Sequence, residues 1–247
     1  MDKKQLQSII TQDNDFYTNV APNFNATRQK PWSGWKQPQS LGDKILDIAG
    51  GNGRYYRFLR ENCFSGQYLN VDASAELLAM SGLKPEQYQQ LDILAAYAQN
   101  RDWRADLRWQ LADSVVCFGF MHHVPWSAWR MRLLGDMFSL VKPDGFLFVS
   151  FWQFLPEKKN LIVENLGHND YWLSWGGDQG VRRFAHYCDD AEIEYLSHQL
   201  ITDYHAELYD DYQADGRSGR LNRYLLWKKP LSPGVFKVLD EVAQNRG

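Results

Sequence analysis

Between Lys44 and Phe151 the apolar residues fall alternately into short, nearly continuous runs and longer stretches with helical spacing. A short continuous run suits a strand covered on both faces, and the periodic stretches suit helices packed on those faces. The alternation therefore predicts an α/β fold around a largely parallel sheet. Lys44–Ile48 reads as the first strand, and Ala49-Gly50-Gly51-Asn52-Gly53 ends it before a helix from Arg54 to about Glu61. Tyr68–Asp72 is a second strand, with Ser74 as N-cap of a helix carrying Glu76, Leu77, Leu78 and Met80. Tyr88–Leu91 and Ser114–Phe120 are the third and fourth strands, the latter apolar enough to be central. The helix holding Trp129, Leu133, Leu134, Met137 and Phe138 closes at a Lys142-Pro143-Asp144-Gly145 turn before a fifth strand, Phe146–Phe151. Beyond Trp152 the period is lost. Residues 153–188, with Gly176, Gly177 and Gly180, read as a flexible insertion rather than a sheet element. Asp189-Asp190-Ala191-Glu192 should open a helix burying Ile193 and Leu196, and two last strands are expected around Leu200–His205 and Arg223–Lys228.

At 247 residues this is one domain with a real core: an N-terminal cap (1–43), the sheet core (44–152), the insertion as a substrate lid (153–188), a final helix and strands (189–229) and a tail (230–247). An aromatic content of 15% excludes bulk disorder. Cys63, Cys117 and Cys188 are too few and scattered for a disulfide framework, and no C-x-x-C pair suggests a metal site, which points to a reducing, cytoplasmic setting. The first residues lack the apolar run of a signal peptide, and no stretch approaches a membrane span, so no membrane association is expected. The net charge of −3 argues against a globally basic nucleic-acid binder, yet it averages a −9 segment (189–215) against +5 over 216–247.

The glycine-rich turn follows a strand and precedes a helix, where glycines give positive φ and let a ligand approach the backbone. Asp72, about 20 residues on at the end of the next strand, is placed to accept hydrogen bonds from ribose hydroxyls. Asp92 adds a third carboxylate on the same edge. Capping of the following helices is the ordinary alternative for Asp72 and Asp92. The glycines fall as G-G-N-G rather than G-x-G-x-x-G, and Asp47 before the turn would repel a pyrophosphate but suits an ammonium. The pattern favours a nucleoside carrying a cationic amino-acid tail.

These residues resemble the class I S-adenosylmethionine-dependent methyltransferases. Ile45-Leu46-Asp47-x-Ala49-x-Gly51-x-Gly53 is similar to the first motif of that family, Asn70-Val71-Asp72-Ala73-Ser74 to the second, and Asp92-Ile93 to the adenine-contacting pair. The resemblance implies a Rossmann-like, doubly wound, seven-stranded mixed sheet with the last strand antiparallel. It implies S-adenosyl-L-methionine as cofactor, held by Asp47, Ala49, Gly51, Gly53, Asp72, Ala73, Asp92 and Ile93. Ala49 departs from the family, which usually has glycine there. A narrower resemblance runs from Phe16 to Lys229: Phe16–Arg28 with Pro31-Trp32, Met121-His122-His123-Val124, Phe151-Trp152, Arg182–Cys188 and Asn222-Arg223-Tyr224 look like blocks of the tRNA wobble-uridine (carboxymethyluridine-5-O) methyltransferases. Those enzymes esterify a carboxymethyl group, and eukaryotic members use a small zinc-binding activator.

A carboxylate acceptor is already ionised near neutrality and needs orientation rather than a base; a guanidinium matches its two oxygens, which singles out Arg28 and Arg183. His122 and His123 follow the fourth strand and could donate a hydrogen bond, or serve as base for a hydroxyl acceptor; a packed, backbone-bonded histidine is the alternative for each. Tyr187 and His186 are weaker candidates. Cys117 reads as core, without thiol chemistry. Of the ten tryptophans, Trp103, Trp109, Trp126 and Trp129 read as core, while Trp152, Trp172 and Trp175 could line a substrate mouth. Arg182, Arg183, Arg217, Arg220, Arg223, Lys228, Lys229, Lys30 and Lys36 are the candidate RNA footprint. Three readings follow: carboxylate O-methylation of a wobble uridine in tRNA, O- or N-methylation of a small molecule, or a non-catalytic binding protein with a methyltransferase fold, motivated by Ala49.

Overall fold

The computed structural model describes residues 3–36, 41–175 and 178–231. Gly176, Gly177 and most of the expected tail lie outside them. The strands are β1 (Lys44–Ile48), β2 (Gln67–Asp72), β3 (Tyr88–Gln90), β4 (Ala112–Cys117), β5 (Val141–Trp152), β6 (Ile162–Gly167), β7 (Asp170–Trp175), β8 (Asp178–His186), β9 (Glu207–Ala214) and β10 (Asn222–Lys228). The helices are α1 (Lys3–Thr27), α2 (Arg54–Glu61), α3 (Ala75–Ala79), α4 (Ile93–Ala98), α5 (Ser127–Ser139), α6 (Leu155–Lys158) and α7 (Asp190–Tyr204). No helix among the described residues is long and apolar enough to cross a membrane.

Seven strands form one sheet in the order β3-β2-β1-β4-β5-β10-β9. The first five pair in parallel, and β10 runs antiparallel to both β5 and β9. This is the expected mixed sheet with its last strand antiparallel. Alternate residues feed two cores: Leu46, Ile48, Leu69, Val115 and Val149 pack with α4, α5 and α7 on one face, and Ile45, Tyr68, Val116 and Phe148 pack with Tyr55 and Leu59 of α2 on the other. Burial on both faces is why these strands read as continuous apolar runs. Strand order reverses between β1 and β4, which opens a crevice at their carboxyl ends.

The region after Trp152 corrects the sequence reading. Residues 162–167, 170–175 and 178–186 form a three-stranded antiparallel sheet, β6-β7-β8, rather than a flexible insertion. Its faces are both apolar: Tyr171, Leu173 and Ala185 pack on Phe154, while Trp172 and Phe184 pack on Ile9 of α1. Register shifts after Ile162, Asn165 and Ser174 further blur the two-residue period. The strand expected at Leu200–His205 is instead the end of α7, because Leu200 continues the buried stripe of Ile193 and Leu196. The real strand, β9, is a polar edge whose residues are mostly exposed, so alternation could not reveal it. β4 stops at Cys117, and the Lys142–Gly145 turn is an irregular start to β5, with Asp144 at φ +67°. Trp126 is 49% exposed rather than core, and Trp109 only partly buried; Trp103 and Trp129 are buried.

Candidate active site

The carboxyl ends of β1, β2 and β4 and the end of β5 open into a cavity of about 1000 Å³, roofed by α1 and β8. One half is acidic. After β1 the chain turns through Ala49 (φ +57°) and Gly51 (φ +53°), and polar side chains of β2 fix the turn: Gly51 N–H donates to Asp72 Oδ2 (2.8 Å) and Asn70 Nδ2 to the Gly51 carbonyl (2.9 Å). A side chain at Gly50 would place Cβ 2.5 Å from both Asn70 Oδ1 and Asp47 Oδ2, so only glycine fits between those carboxylate and amide groups. Asn52 ties the turn to the N-terminal segment through Asn25 Oδ1 (2.8 Å) and the Arg28 carbonyl (3.2 Å).

Burial pushes the carboxyl of Asp47 up to about 7, opposed by the Tyr68 hydroxyl that donates to it, and that of Asp72 up to about 6, opposed by N–H donors from Ser74 and Gly51. Two carboxyls, Asp47 buried and Asp72 partly so, with pKa values raised toward neutrality and no cationic side chain against either among the described ion pairs, suit a ligand that brings a positive charge and hydroxyl donors. The residues present thus fit S-adenosylmethionine. Asp92 does cap α4, accepting from Ala95 N–H (2.8 Å) and Asn14 (2.8 Å). Asp72 does not cap α3; Ser74 does. Asp47, Ala49, Gly51, Asp72, Ala73, Asp92 and Ile93 all line the cavity. Gly53 does not line it; its positive φ of +68° starts α2, where a Cβ would meet Ser81 at 3.0 Å.

The other half is aromatic and cationic. Arg28, His122, His123 and Arg183 line it together with Tyr17, Phe24, Trp32, Phe120 and Trp152. Arg183 is 6% exposed, has no carboxylate in ion-pair range among the described residues, and lies 5.1 Å from the Trp152 ring and 5.5 Å from Trp175. Its Nη1 donates to the Tyr17 hydroxyl (3.2 Å), while its Nε has no partner. Arg28 lies 5.3 Å from both Phe24 and Trp175, and burial together with the Arg183 charge lowers its pKa. His122 packs at a tilt against Trp152 (4.8 Å between ring centroids) and is held well below the usual histidine range by burial and the neighbouring His123, Arg183 and His186; its Nδ1 is unpartnered. His123 sits between Asp13 (Nδ1 to Oδ2, 2.9 Å) and Tyr17 (Nε2 to hydroxyl, 2.8 Å).

Tyr187 is outside this cavity: its ring packs edge-on to Phe154 at 5.5 Å. His186 is outside too. It lies between Asp170 (2.6 Å) and Glu192 (2.6 Å), which hold its imidazolium up to about 10 despite burial, and Glu192 is paired in turn with Arg130. Cys188 joins His186 and Glu192 in a group with ligand-like spacing, but there the imidazolium itself is the cation that neutralises the carboxylates. The candidate RNA footprint divides. Lys30 lines the cavity, and Arg217 and Arg220 are exposed in the β9–β10 loop beside it. Lys36, Arg182, Arg223 and Lys228 are spent on Asp210, Glu164, Asp190 with Asp211, and Asp144. Lys229 binds main-chain carbonyls at the far end of the sheet. Tyr17, Asp13, Arg54 and Asn52 gave no isolated signal; Tyr17 stood only inside the Phe16–Arg28 block.

A doubly wound sheet with a glycine turn and acidic strand ends at its reversal point defines a nucleoside-binding α/β enzyme. The sequence model of the family described as "Methyltransferase domain" matches residues 23–197, and the chain belongs to that family, the S-adenosylmethionine-dependent methyltransferases. It is 26% identical over 151 residues to a tRNA (carboxymethyluridine(34)-5-O)-methyltransferase of Arabidopsis thaliana, covering 60% of this chain and 34% of that protein. It is 22% identical over 207 residues to a probable tRNA methyltransferase 9B of Mus musculus, covering 76% and 39%. The match thus spans well under half the length of either relative. Among solved structures, a SAM-dependent methyltransferase from Methanosarcina mazei superposes with a TM-score of 0.57 at 17% identity, over 78% of this chain and 96% of that one, which shows the shared fold.

Proposed function

We propose that the chain methylates a carboxylate, the carboxymethyl group of a wobble uridine in tRNA. The observation that carries this is Arg183: a buried guanidinium with no carboxylate in range, facing the same cavity as the cofactor residues. A buried cation without a counter-ion is costly, and a carboxylate acceptor supplies the missing charge in bidentate geometry. The curated relatives named for carboxymethyluridine support the same acceptor. S-adenosylmethionine supplies an electrophilic methyl group; Asp47, Asp72, Asp92 and the turn through Ala49 and Gly51, with Ala73 and Ile93, would hold it, and Gly53 serves only to turn the chain into α2. The chain's own part is then alignment and exclusion of water. Arg183 and Arg28 orient the acceptor, Trp152 and Phe24 wall it off with Trp175 packed behind the two arginines, and His122, neutral and tilted against Trp152, forms part of the wall rather than a charged donor. No general base is required, since the nucleophile is already an anion.

A small-molecule acid is the second reading, favoured by the ion pairs that consume Lys36, Arg182, Arg223 and Lys228. Transfer of radiolabelled methyl from S-adenosylmethionine to bulk tRNA tests both. Base-labile label in tRNA, lost on ester hydrolysis, supports the first; label confined to a low-molecular-mass acid overturns it in favour of the second. The chain is assayed alone and then with a small zinc-binding activator protein, so transfer by the chain alone shows that no such partner is needed.

A further inference from the structure

We propose that the cavity holds a second anion subsite, at Arg54, which takes a phosphate group of the acceptor while Arg183 takes the carboxylate; this rests on the carboxylate reading above. Arg54, the first residue of α2, lies with its guanidinium 4.6 Å from the Trp32 ring and 5.3 Å from Trp35, and it lines the same cavity as Arg28 and Arg183. Its only described hydrogen bond is a long one, 3.5 Å, to the Lys30 carbonyl.

Elsewhere in the molecule Arg130 pairs with Glu192, Arg104 with Asp102, and Arg223 with Asp190 and Asp211, whereas Arg57, one turn along α2, binds the Asn52 carbonyl. The cavity arginines form no described ion pair, and they oppose one another. Partial burial first, and the Arg183 charge second, lower the pKa of Arg28; partial burial, and then the Arg28 charge, bring that of Arg54 down to about 10. Asp215 lines the cavity too and offsets part of the Arg54 charge, but it is held by Ser33 N–H (2.8 Å), the Ser33 hydroxyl (2.9 Å), Asn222 (2.8 Å) and the Tyr224 hydroxyl and forms no described ion pair with Arg54. Three guanidiniums repelling along one wall are a site built for more than one negative charge. Arg183 and Arg28 share the Trp175 ring, whereas Arg54 stands apart over Trp32 and Trp35. The two charges therefore belong to separate groups, not to one carboxylate. Lys30, whose carbonyl Arg54 reaches, and Lys158 line the cavity as well and add to its positive charge, and the Arg54 fork itself matches phosphate oxygens. A nucleotide carrying a base-attached carboxylate and a backbone phosphate meets both requirements; a simple monocarboxylic acid meets one.

The test is a two-by-two set of ligands: uridine, uridine 5′-monophosphate, 5-carboxymethyluridine and its 5′-monophosphate, titrated calorimetrically into the full chain with S-adenosylhomocysteine present. Adding the phosphate should tighten binding about tenfold at low salt, the worth of a charge-assisted contact. Arg54→Gln should shrink that gain toward one, while Arg54→Lys, which keeps the charge, retains part of it; melting temperatures show whether each variant is folded. The carboxymethyl gain reads the Arg183 end separately. No gain from phosphate overturns the second subsite whatever the carboxymethyl group does, and no gain from carboxymethyl overturns the carboxylate reading alone. A phosphate gain left intact by Arg54→Gln also overturns the assignment. A stem-loop RNA ending the series separates sources: a further gain that falls with salt marks a phosphodiester in RNA, and no gain over the monophosphate marks a free nucleotide.

Discussion

The Tyr17 hydroxyl lies 2.8 Å from His123 Nε2, midway along a buried chain that runs from Asp13 through His123 and Tyr17 to Arg183. A carboxylate can only accept at one end and a guanidinium can only donate at the other. Nδ1–H of His123 therefore donates to Asp13 and Arg183 donates to the Tyr17 oxygen, which leaves the Tyr17 hydroxyl hydrogen directed at Nε2. Asp13 also accepts the Phe184 N–H (2.8 Å), so the chain locks α1 against β8. Tyr17→Phe removes the one described hydrogen bond that fixes Nη1 of Arg183. The expected result is a KM for the acceptor raised about tenfold with kcat little changed, at a stability cost of about 1 kcal/mol. Steady-state kinetics check it; an unchanged KM would show that the lock is structural only.

Ala49 adopts φ +57°, a left-handed conformation that a Cβ makes costly by about 1 kcal/mol. Ala49→Gly relieves that strain but gains chain entropy when unfolded, so the two effects partly offset. The expected net is a stabilisation of less than about 1 kcal/mol together with tighter S-adenosylmethionine binding, measured by thermal melting and calorimetry. Weaker binding would mean that the methyl group packs against the cofactor rather than crowding it.

The sheet was legible because strands buried on both faces leave continuous apolar runs, and the convergence of Asp47, Asp72 and Asp92 on one cavity because all three fall at or just beyond strand ends on the edge where the strand order reverses. β6–β8 was not, since aromatic residues on both faces and three register shifts erase the two-residue period. β9 was hidden by the opposite cause, an edge too polar to look like a strand. Arg183 stood out by its motif, but Tyr17, Asp13 and Arg54 matter through neighbours 166, 110 and roughly 20–30 residues away, a pairing that no local pattern encodes.

Asp47, with a pKa pushed up to about 7 by burial, couples cofactor binding to pH. A cationic ligand favours the ionised carboxylate, so below about 7 binding must first drive off a proton. Affinity for S-adenosylmethionine should therefore rise as pH goes from 5.5 to 8, up to about tenfold per unit at the acidic end. Asp47→Asn should bind weakly and flatten this dependence. Calorimetric titrations at several pH values decide; a flat wild-type profile would remove Asp47 from contact with the ammonium.

His186 sets the alkaline limit of the fold. Its pKa, about 10 when folded between Asp170 and Glu192, exceeds the ordinary value of 6.5. A raised value means that the folded protein binds the proton more tightly than the unfolded chain. The stabilisation is complete below about 6.5 and is lost progressively as pH rises toward 10. Melting temperature should fall steadily across that window. His186→Gln replaces a cation by a neutral amide between two largely buried carboxylates, leaving Glu192 with Arg130 and Asp170 with no described cation. It should cost about 3 kcal/mol at pH 6.5 and much less at pH 10, because the wild type has by then lost the same charge. A variant that is destabilised equally at both pH values would show that the ring's packing, not its charge, is what the network needs.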